Sequence, residues 1–355
     1  MVKKVEDVNG TTIAAVGKEI DQVGQQPKNL PQLTTENMNS EFKKKGLFKV
    51  MSGNEWIEQA KTMEIPRSLI DHLWFMFELC ILFAEPGAGK TAFAVQQAIR
   101  IAKELALPVL LLDFELTAKQ WEQRYSNEYT NHYVFPDNLY RAEVDPDNVD
   151  YEEQGFNSIQ DYMNASIEEA IKQTGARVIV IDNITYLSDE TEKAKFALPL
   201  MKHLKALKTK YNLSILALAH TPKRDMSKPL NRNDLSGSKM LMNFCDSCFA
   251  IGESTIGSSF RYIKQLKVRY EKFTYTIENV AVYELQKTDN FLFMAFTHCS
   301  HEREHLKEKA TIDKQEVINT VLDLNKKGLS QREIALQIGM SVGAVNKYIN
   351  NNKYL

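Results

Sequence analysis

The sequence has no long apolar run, little cysteine, little glycine or proline, and no excess of either charge. Its 355 residues include 4 Cys, 15 Gly and 10 Pro, with 44 Lys+Arg against 46 Asp+Glu and a formal net charge of -2. The longest apolar stretch, Leu73 to Ala84, is interrupted by Glu78 and falls short of the roughly 18 residues that a membrane-crossing helix needs. The amino-terminal MVKKVEDVNG carries lysines without the apolar stretch of a secretory leader. So few cysteines in so long a chain make no disulfide framework and point to a reducing compartment. The expectation is a soluble, cytoplasmic chain with no membrane partner. Charge balance excludes a uniformly basic nucleic-acid coat, but not a local basic patch.

What is present is a change of texture along the chain. Residues 1–46 are rich in Gln, Asn, Thr and Lys with unperiodic apolar residues, which reads as a flexible arm. Residues 47–300 read as one α/β domain. Apolar runs at Leu79–Ala84, Val109–Asp113, Val178–Asp182 and Leu213–Ala219 alternate with helical stretches at Thr91–Ala106, Ser158–Thr174 and Lys193–Tyr211. That alternation predicts a mainly parallel sheet covered by helices. Afterwards Phe249–Gly252, Phe260–Val268, Tyr275–Leu285 and Phe291–Phe296 show period two, as consecutive antiparallel strands do. Residues 301–313 read as a charged linker, and 314–355 as a small helical module. The acidic segment Asp137–Glu153 reads as a solvated insertion.

The strongest local signal is Ala84-Glu85-Pro86-Gly87-Ala88-Gly89-Lys90-Thr91, followed by Ala92, between a strand and a helix. Glycines at 87 and 89 let successive N–H groups converge on an anion, and the helix start adds its partial positive charge. Lys90 can reach the β- and γ-phosphates of ATP, and the Thr91 hydroxyl can hold Mg²⁺. Ala84 stands where the P-loop pattern has its first Gly, a position at the strand end where a small residue serves. Asp182, closing Val178-Ile179-Val180-Ile181, is placed to hold the metal shell as a Walker B carboxylate.

The order of the remaining motifs resembles RecA-like P-loop ATPases of the RepA- and DnaB-type hexameric helicases, including the AAA-family ATPases of mobile elements. Leu111-Leu112-Asp113-Phe114-Glu115 is similar to the segment whose glutamate activates the attacking water, so the resemblance makes Glu115 the base. Leu213–His220 resembles the strand ending in a γ-phosphate sensor, with His220 where Gln is common. A neutral His can donate one hydrogen bond as an amide does. The segment Thr221–Asp234, with Lys223, Arg224, Lys228 and Arg232, falls where the family has a single-stranded DNA loop. Such a loop suits phosphate contact, although no aromatic lies in it for stacking. Asp234–Lys239 resembles the element that follows. Lys267 and Arg269 match a Lys-x-Arg pair that reaches a neighbouring subunit's γ-phosphate. The resemblance thus implies a homo-oligomer, a hexamer in the family, acting in DNA replication or mobile-element maintenance.

At the carboxyl end, Lys314–Leu324 is amphipathic, and Ser330 with Glu333 forms a capping-box pattern. Gly339 permits a tight turn, and Ser341 caps a helix over Val342–Asn350. This helix-turn-helix pattern resembles those of resolvases and bacterial regulators. It would present Ser341, Gly343, Asn346, Lys347 and Asn350 to duplex DNA, with modest basic charge from Arg332, Lys347 and Lys353.

Lesser signals remain. Cys245-Asp246-Ser247-Cys248 has C-x-x-C spacing and could join His301 and His305 in a zinc site, but nothing in the spacing demands it. Trp74–Phe77 reads as strand packing. Tyr125, Tyr129, Tyr133 and Tyr140 flank the acidic insertion as a possible partner surface. Three functions stay open: a DNA-acting ATPase motor, a nucleotide-controlled helix-turn-helix regulator without helicase activity, and an ATPase that does not act on nucleic acid.

Overall fold

The computed structural model describes residues 48–187, 194–222, 224–235, 239–308 and 314–351. The arm expected over 1–46, together with Lys223 and Lys353, lies outside the described residues. The chain divides into two units, residues 1–65 and 66–355.

In the first unit, helix α1 (Gly53–Lys61) begins at a capping box in which Ser52 and Glu55 satisfy each other's backbone N–H groups. None of its residues is buried.

The second unit is built on a nine-stranded sheet. Its parallel part contains β3 (Leu79–Ala84), β4 (Val109–Asp113), β7 (Leu139–Ala142), β8 (Val178–Asp182), β9 (Ser214–His220) and β10 (Ser247–Glu253). Strands β11 (Phe260–Lys267), β12 (Val280–Thr288) and β13 (Phe291–Ser300) continue it antiparallel. The order is β13-β12-β11-β10-β3-β9-β8-β4-β7. The α/β architecture expected from the sequence is therefore present, a mainly parallel sheet with antiparallel strands after it.

Both faces of the sheet are covered, which explains the unbroken apolar runs. Along β3, Leu79, Ile81 and Phe83 join a core with helices α4 (Ile159–Thr174) and α5 (Ala194–Tyr211). Cys80, Leu82 and Ala84 face the other layer, where α2 (Lys90–Glu104) contributes Phe93, Val95, Ala98 and Ile101. Each large apolar side chain so buried contributes about 1.5–3 kcal/mol.

Four expectations need correction. Strand β10 is not simply one of the antiparallel set: it pairs parallel with β3 and antiparallel with β11, so it is the turning point of the sheet. Strand β12 starts at Val280 rather than Tyr275. The Gln265 side-chain carbonyl accepts from the N–H groups of Thr274 and Tyr275, holding that segment as a loop beside β11. The stretch from 301 is not all linker, because a short turn at Glu302–His305 packs into the domain with Glu302 and His305 buried. Of the tyrosines, Tyr125 is buried against Trp121, Phe135 and Phe291, and Tyr133 packs on Phe291. Only Tyr129 and Tyr140 remain exposed.

Trp74 and Phe75 form β2, paired with β1 (Ser68–Ile70), and β5 (Ser126–Asn127) pairs with β6 (Asn131–His132). Residues 314–351 fold as three helices, α7 (Lys314–Lys326), α8 (Gln331–Ile338) and α9 (Val342–Asn351). They share a small core of Val321, Ile334, Ala335, Val345 and Ile349. Among the described residues no helix is long and apolar enough to cross a membrane.

Candidate active site

The site gathers where β3, β4, β8 and β9 end at their carboxyl sides, the place where open α/β sheets bind ligands. After Ala84 the chain turns through Glu85, Pro86, Gly87 and Ala88, and Gly89 sits directly before α2. Gly87 and Gly89 have φ of 79° and 94°, left-handed values that a side chain disfavours. At Gly89 an added Cβ would also run into Met294 Cε. Ala84, in the missing-glycine position, closes β3, and its carbonyl accepts from Lys90 Nζ at 3.1 Å and from Thr221 N at 3.1 Å. Lys90 Nζ also donates to the Glu85 carbonyl at 3.3 Å. Burial lowers the Lys90 pKa, against the nearby charges of Glu115 and Asp182.

Thr91 Oγ1 donates to Asp182 Oδ2 at 2.6 Å. Asp182 is wholly buried, and its other oxygen, Oδ1, has no hydrogen-bond partner among the described residues. Burial pushes this carboxyl up to about 6, with the Thr91 hydrogen bond opposing the shift. A buried carboxylate oxygen left without a donor beside a threonine hydroxyl is an oxygen-only donor set, which suits Mg²⁺.

Glu115 lies beyond β4. Its Oε1 receives His220 Nε2 at 2.9 Å and also the side-chain amide of Asn183. Those bonds, His220 first, lower its pKa against partial burial, and the Lys90 charge helps. On the other edge of the imidazole, Nδ1 lies 3.3 Å from Lys90 Nζ. An ammonium can only donate, so in the neutral ring Nδ1 accepts and Nε2–H donates to Glu115. Lys90, Glu115, Asp182 and His220, picked out separately along the sequence, therefore converge.

A family described as AAA domain matches residues 48–226. The chain belongs to the AAA domain family. No curated protein matches it. Among solved structures, a KaiC-like protein from the hyperthermophilic archaeon Pyrococcus horikoshii OT3 superimposes with a TM-score of 0.44 and 16% identity, covering 62% of this chain and 90% of that one.

Within this AAA domain, sequence reasoning missed Asn183. Its Oδ1 accepts from Thr185 N at 2.9 Å, which fixes the amide so that Nδ2 faces Glu115 and His220. A single polar residue after a strand is too common a pattern to stand out. Lys264 and Glu302 were missed too. They form a buried ion pair that grips Leu230 from both sides. Glu302 Oε1 accepts the Leu230 N–H at 2.7 Å, and Lys264 Nζ donates to its carbonyl at 2.8 Å.

The basic segment after β9 hangs from the P-loop, with Arg224 N donating to Glu85 Oε1 at 3.3 Å. Its cations are less available than their number suggests. Arg224 is turned inward, bonded to the Lys228 carbonyl and 3.9 Å from Asp234. Arg232 Nε donates to Leu266 O at 2.7 Å. Lys228 is exposed and lies 3.6 Å from Asp225.

Lys267 and Arg269 do not join this chain's own site. Lys267 is paired with Cys248 near the amino end of β3, away from the P-loop. Its ammonium donates to the carbonyls of Met242 at 2.7 Å and Cys245 at 2.7 Å, capping α6 (Lys239–Phe244). Arg269 lies past the end of β11, exposed, with Nη1 3.3 Å from Asp246 Oδ1. Cys245 and Cys248 are buried thiols, and His305 is held between Ser254 and Ser300 at 2.7 Å each. Among the described residues no cluster of three or more His, Cys, Asp or Glu is placed to hold a metal ion.

In the helical module, Gly339 ends α8 in the left-handed conformation and Ser341 Oγ accepts from Ala344 N at 3.3 Å. Ser341, Gly343, Asn346, Lys347 and Asn350 are all exposed on one helix and its cap.

Proposed function

We propose that this chain is an oligomeric, DNA-acting ATPase of motor or helicase type, serving replication or mobile-element maintenance. The observation that carries the reading is the continuous contact from Lys90 through His220 to Glu115, with the basic segment starting one residue after His220.

In this reading the P-loop N–H groups and Lys90 bind the phosphates of ATP. Glu115 orients the attacking water and receives its proton. Thr91 and Asp182 would hold Mg²⁺, which when bound neutralises phosphate charge. Lys90 leaves His220 for the γ-phosphate, so His220 exchanges one partner when nucleotide enters. The segment from Thr221 onward then shifts its hold on Glu85, passing the nucleotide state to Lys223, Arg224, Lys228 and Arg232, which contact single-stranded DNA. Arg269, exposed and lightly held, is the better placed of the Lys267/Arg269 pair to act on a neighbouring protomer's site. The three-helix module binds duplex DNA through Ser341, Asn346 and Lys347 as a helix-turn-helix.

Glu115→Gln tests the core of this reading. It should retain ATP binding and lose turnover by 100-fold or more (roughly the upper range for a general base); unchanged turnover removes Glu115 from the role. A second reading, a nucleotide-controlled regulator without helicase activity, is favoured by the inward turn of Arg224 and by the exposed polar face of α9. A strand-displacement assay with and without ATP separates the two.

A further inference from the structure

We propose that Arg141, on edge strand β7, is the positioning residue for Glu115. The inference rests on the reading of Glu115 as the base.

Glu115 sits in an irregular turn between the end of β4 and helix α3 (Ala118–Arg124), just past the backbone bond from Phe114 N–H to the Asp182 carbonyl at 2.7 Å. Arg141 spans that turn with all three of its nitrogens. Nε donates to Asp113 Oδ2 at 2.8 Å, Nη2 to the Leu116 carbonyl at 2.6 Å, and Nη1 to Glu143 Oε2 at 3.0 Å. The guanidinium also lies 5.1 Å from the Trp121 ring centroid, a cation–π contact with α3. Asp113 passes the constraint on. Its other oxygen, Oδ1, accepts the backbone N–H groups of Glu115 at 3.1 Å and Leu116 at 3.0 Å. The Arg141–Asp113 pair is nearly removed from water, with side chains 18% and 1% exposed. In that setting a charge-assisted hydrogen bond is strong and directional.

The segment is thus held before and after Glu115 by one guanidinium, and at the Glu115 N–H through Asp113. Only the planar fork of arginine reaches Asp113, Leu116 and Glu143 at once; a lysine ammonium is a single point. A small misplacement of a base relative to the reacting water costs large factors in rate. Arg141 contacts Asp113, Leu116, Glu143 and Trp121, so its effect reaches the site through the segment that carries Glu115. Its third partner, Glu143, lies in the acidic segment Asp137–Glu153, which ties that segment to the base.

The test is a double-mutant cycle on the full chain, comparing Arg141→Lys, Arg141→Ala, Glu115→Gln and the Arg141→Lys/Glu115→Gln pair. Steady-state ATPase is measured alongside affinity for a fluorescent ATP analogue. The expected result is a fall in kcat of at least tenfold for both Arg141 variants, with nucleotide affinity within threefold of wild type. The double variant should be no slower than Glu115→Gln alone, because the two residues act as one unit. If Glu115→Gln abolishes turnover while Arg141→Lys stays within twofold of wild type, Arg141 does not position the base. Multiplicative losses in the double variant, or a loss of affinity equal to the loss of kcat, overturn it as well. If Glu115→Gln leaves turnover intact, the base assignment itself fails and takes this inference with it. Arg141→Lys keeps the charge and most of the stem, so the test stands even if Arg141→Ala does not fold.

Discussion

His220 is held between the lysine of the P-loop and the carboxylate that faces it: Nδ1 lies 3.3 Å from Lys90 Nζ and Nε2 lies 2.9 Å from Glu115 Oε1. In the proposed function this contact links phosphate binding to the base through one ring. A glutamine side chain presents an acceptor and a donor in the same order. His220→Gln is therefore expected to keep at least a tenth of wild-type turnover, while His220→Ala loses both contacts and falls tenfold or more further, on the order of 1.4 kcal/mol per decade. ATPase rates of the two variants check this.

Gly89 joins backbone conformation to nucleotide binding. Gly89→Ala places a side chain at φ 94°, a conformation costing L-residues about 1–2 kcal/mol, and turns the P-loop N–H groups off their common focus. The expected outcome is a lower melting temperature and at least tenfold weaker nucleotide binding. Pairing it with Met294→Ala removes the contact with the flexible end of Met294 and should not restore binding, because the backbone strain remains.

Asp182 gives a pH signature. Its pKa in the protein without nucleotide is raised to about 6 from 3.8, so the folded chain holds this proton more tightly than the unfolded chain does. The stability associated with it is full below 3.8 and is lost as pH rises towards 6. Binding of Mg²⁺–nucleotide requires the ionised form, so near pH 6 it should release about half a proton at this site. Calorimetry in buffers of different ionisation enthalpy measures the release. Asp182→Asn should abolish that contribution.

Glu302 and Lys264 are buried together. Removing one member leaves an unpaired buried charge, at about 3–5 kcal/mol. Glu302→Ala is expected to lower stability by that amount and to release Leu230, so protease cleavage within 221–235 should rise. Urea melts and limited proteolysis check the two effects.

The helical module has only a small core, and Ile334 is wholly buried in it. Ile334→Ala should cost about 2–5 kcal/mol, enough to unfold a module of this size. Duplex binding should vanish while ATPase activity in the absence of DNA persists, as gel shift and turnover assays would show.

Much of this is legible in the amino-acid sequence alone. Buried parallel strands announce themselves as runs such as Val178–Asp182, and the P-loop carries its own glycine signature. Asn183 and Arg141 did not stand out, since a lone polar residue after a strand and a lone arginine beside an acidic run look like ordinary solvated positions. Glu302 was hidden in a charged stretch because its partner, Lys264, is distant in sequence. The double role of β10 was invisible for another reason: alternation reports which face is buried, not the direction of the neighbouring strand. Counting cations in 221–234 overstated the exposed charge, because Arg224 spends its guanidinium on the loop itself.

The most direct test of the account is ATPase turnover measured without DNA, with single-stranded DNA and with duplex DNA. A DNA-acting motor should turn over several-fold faster with single-stranded DNA than with duplex, and Lys228→Ala combined with Arg232→Ala should reduce that stimulation. Equal rates under all three conditions would contradict the coupling of hydrolysis to DNA and leave an ATPase that acts on something else.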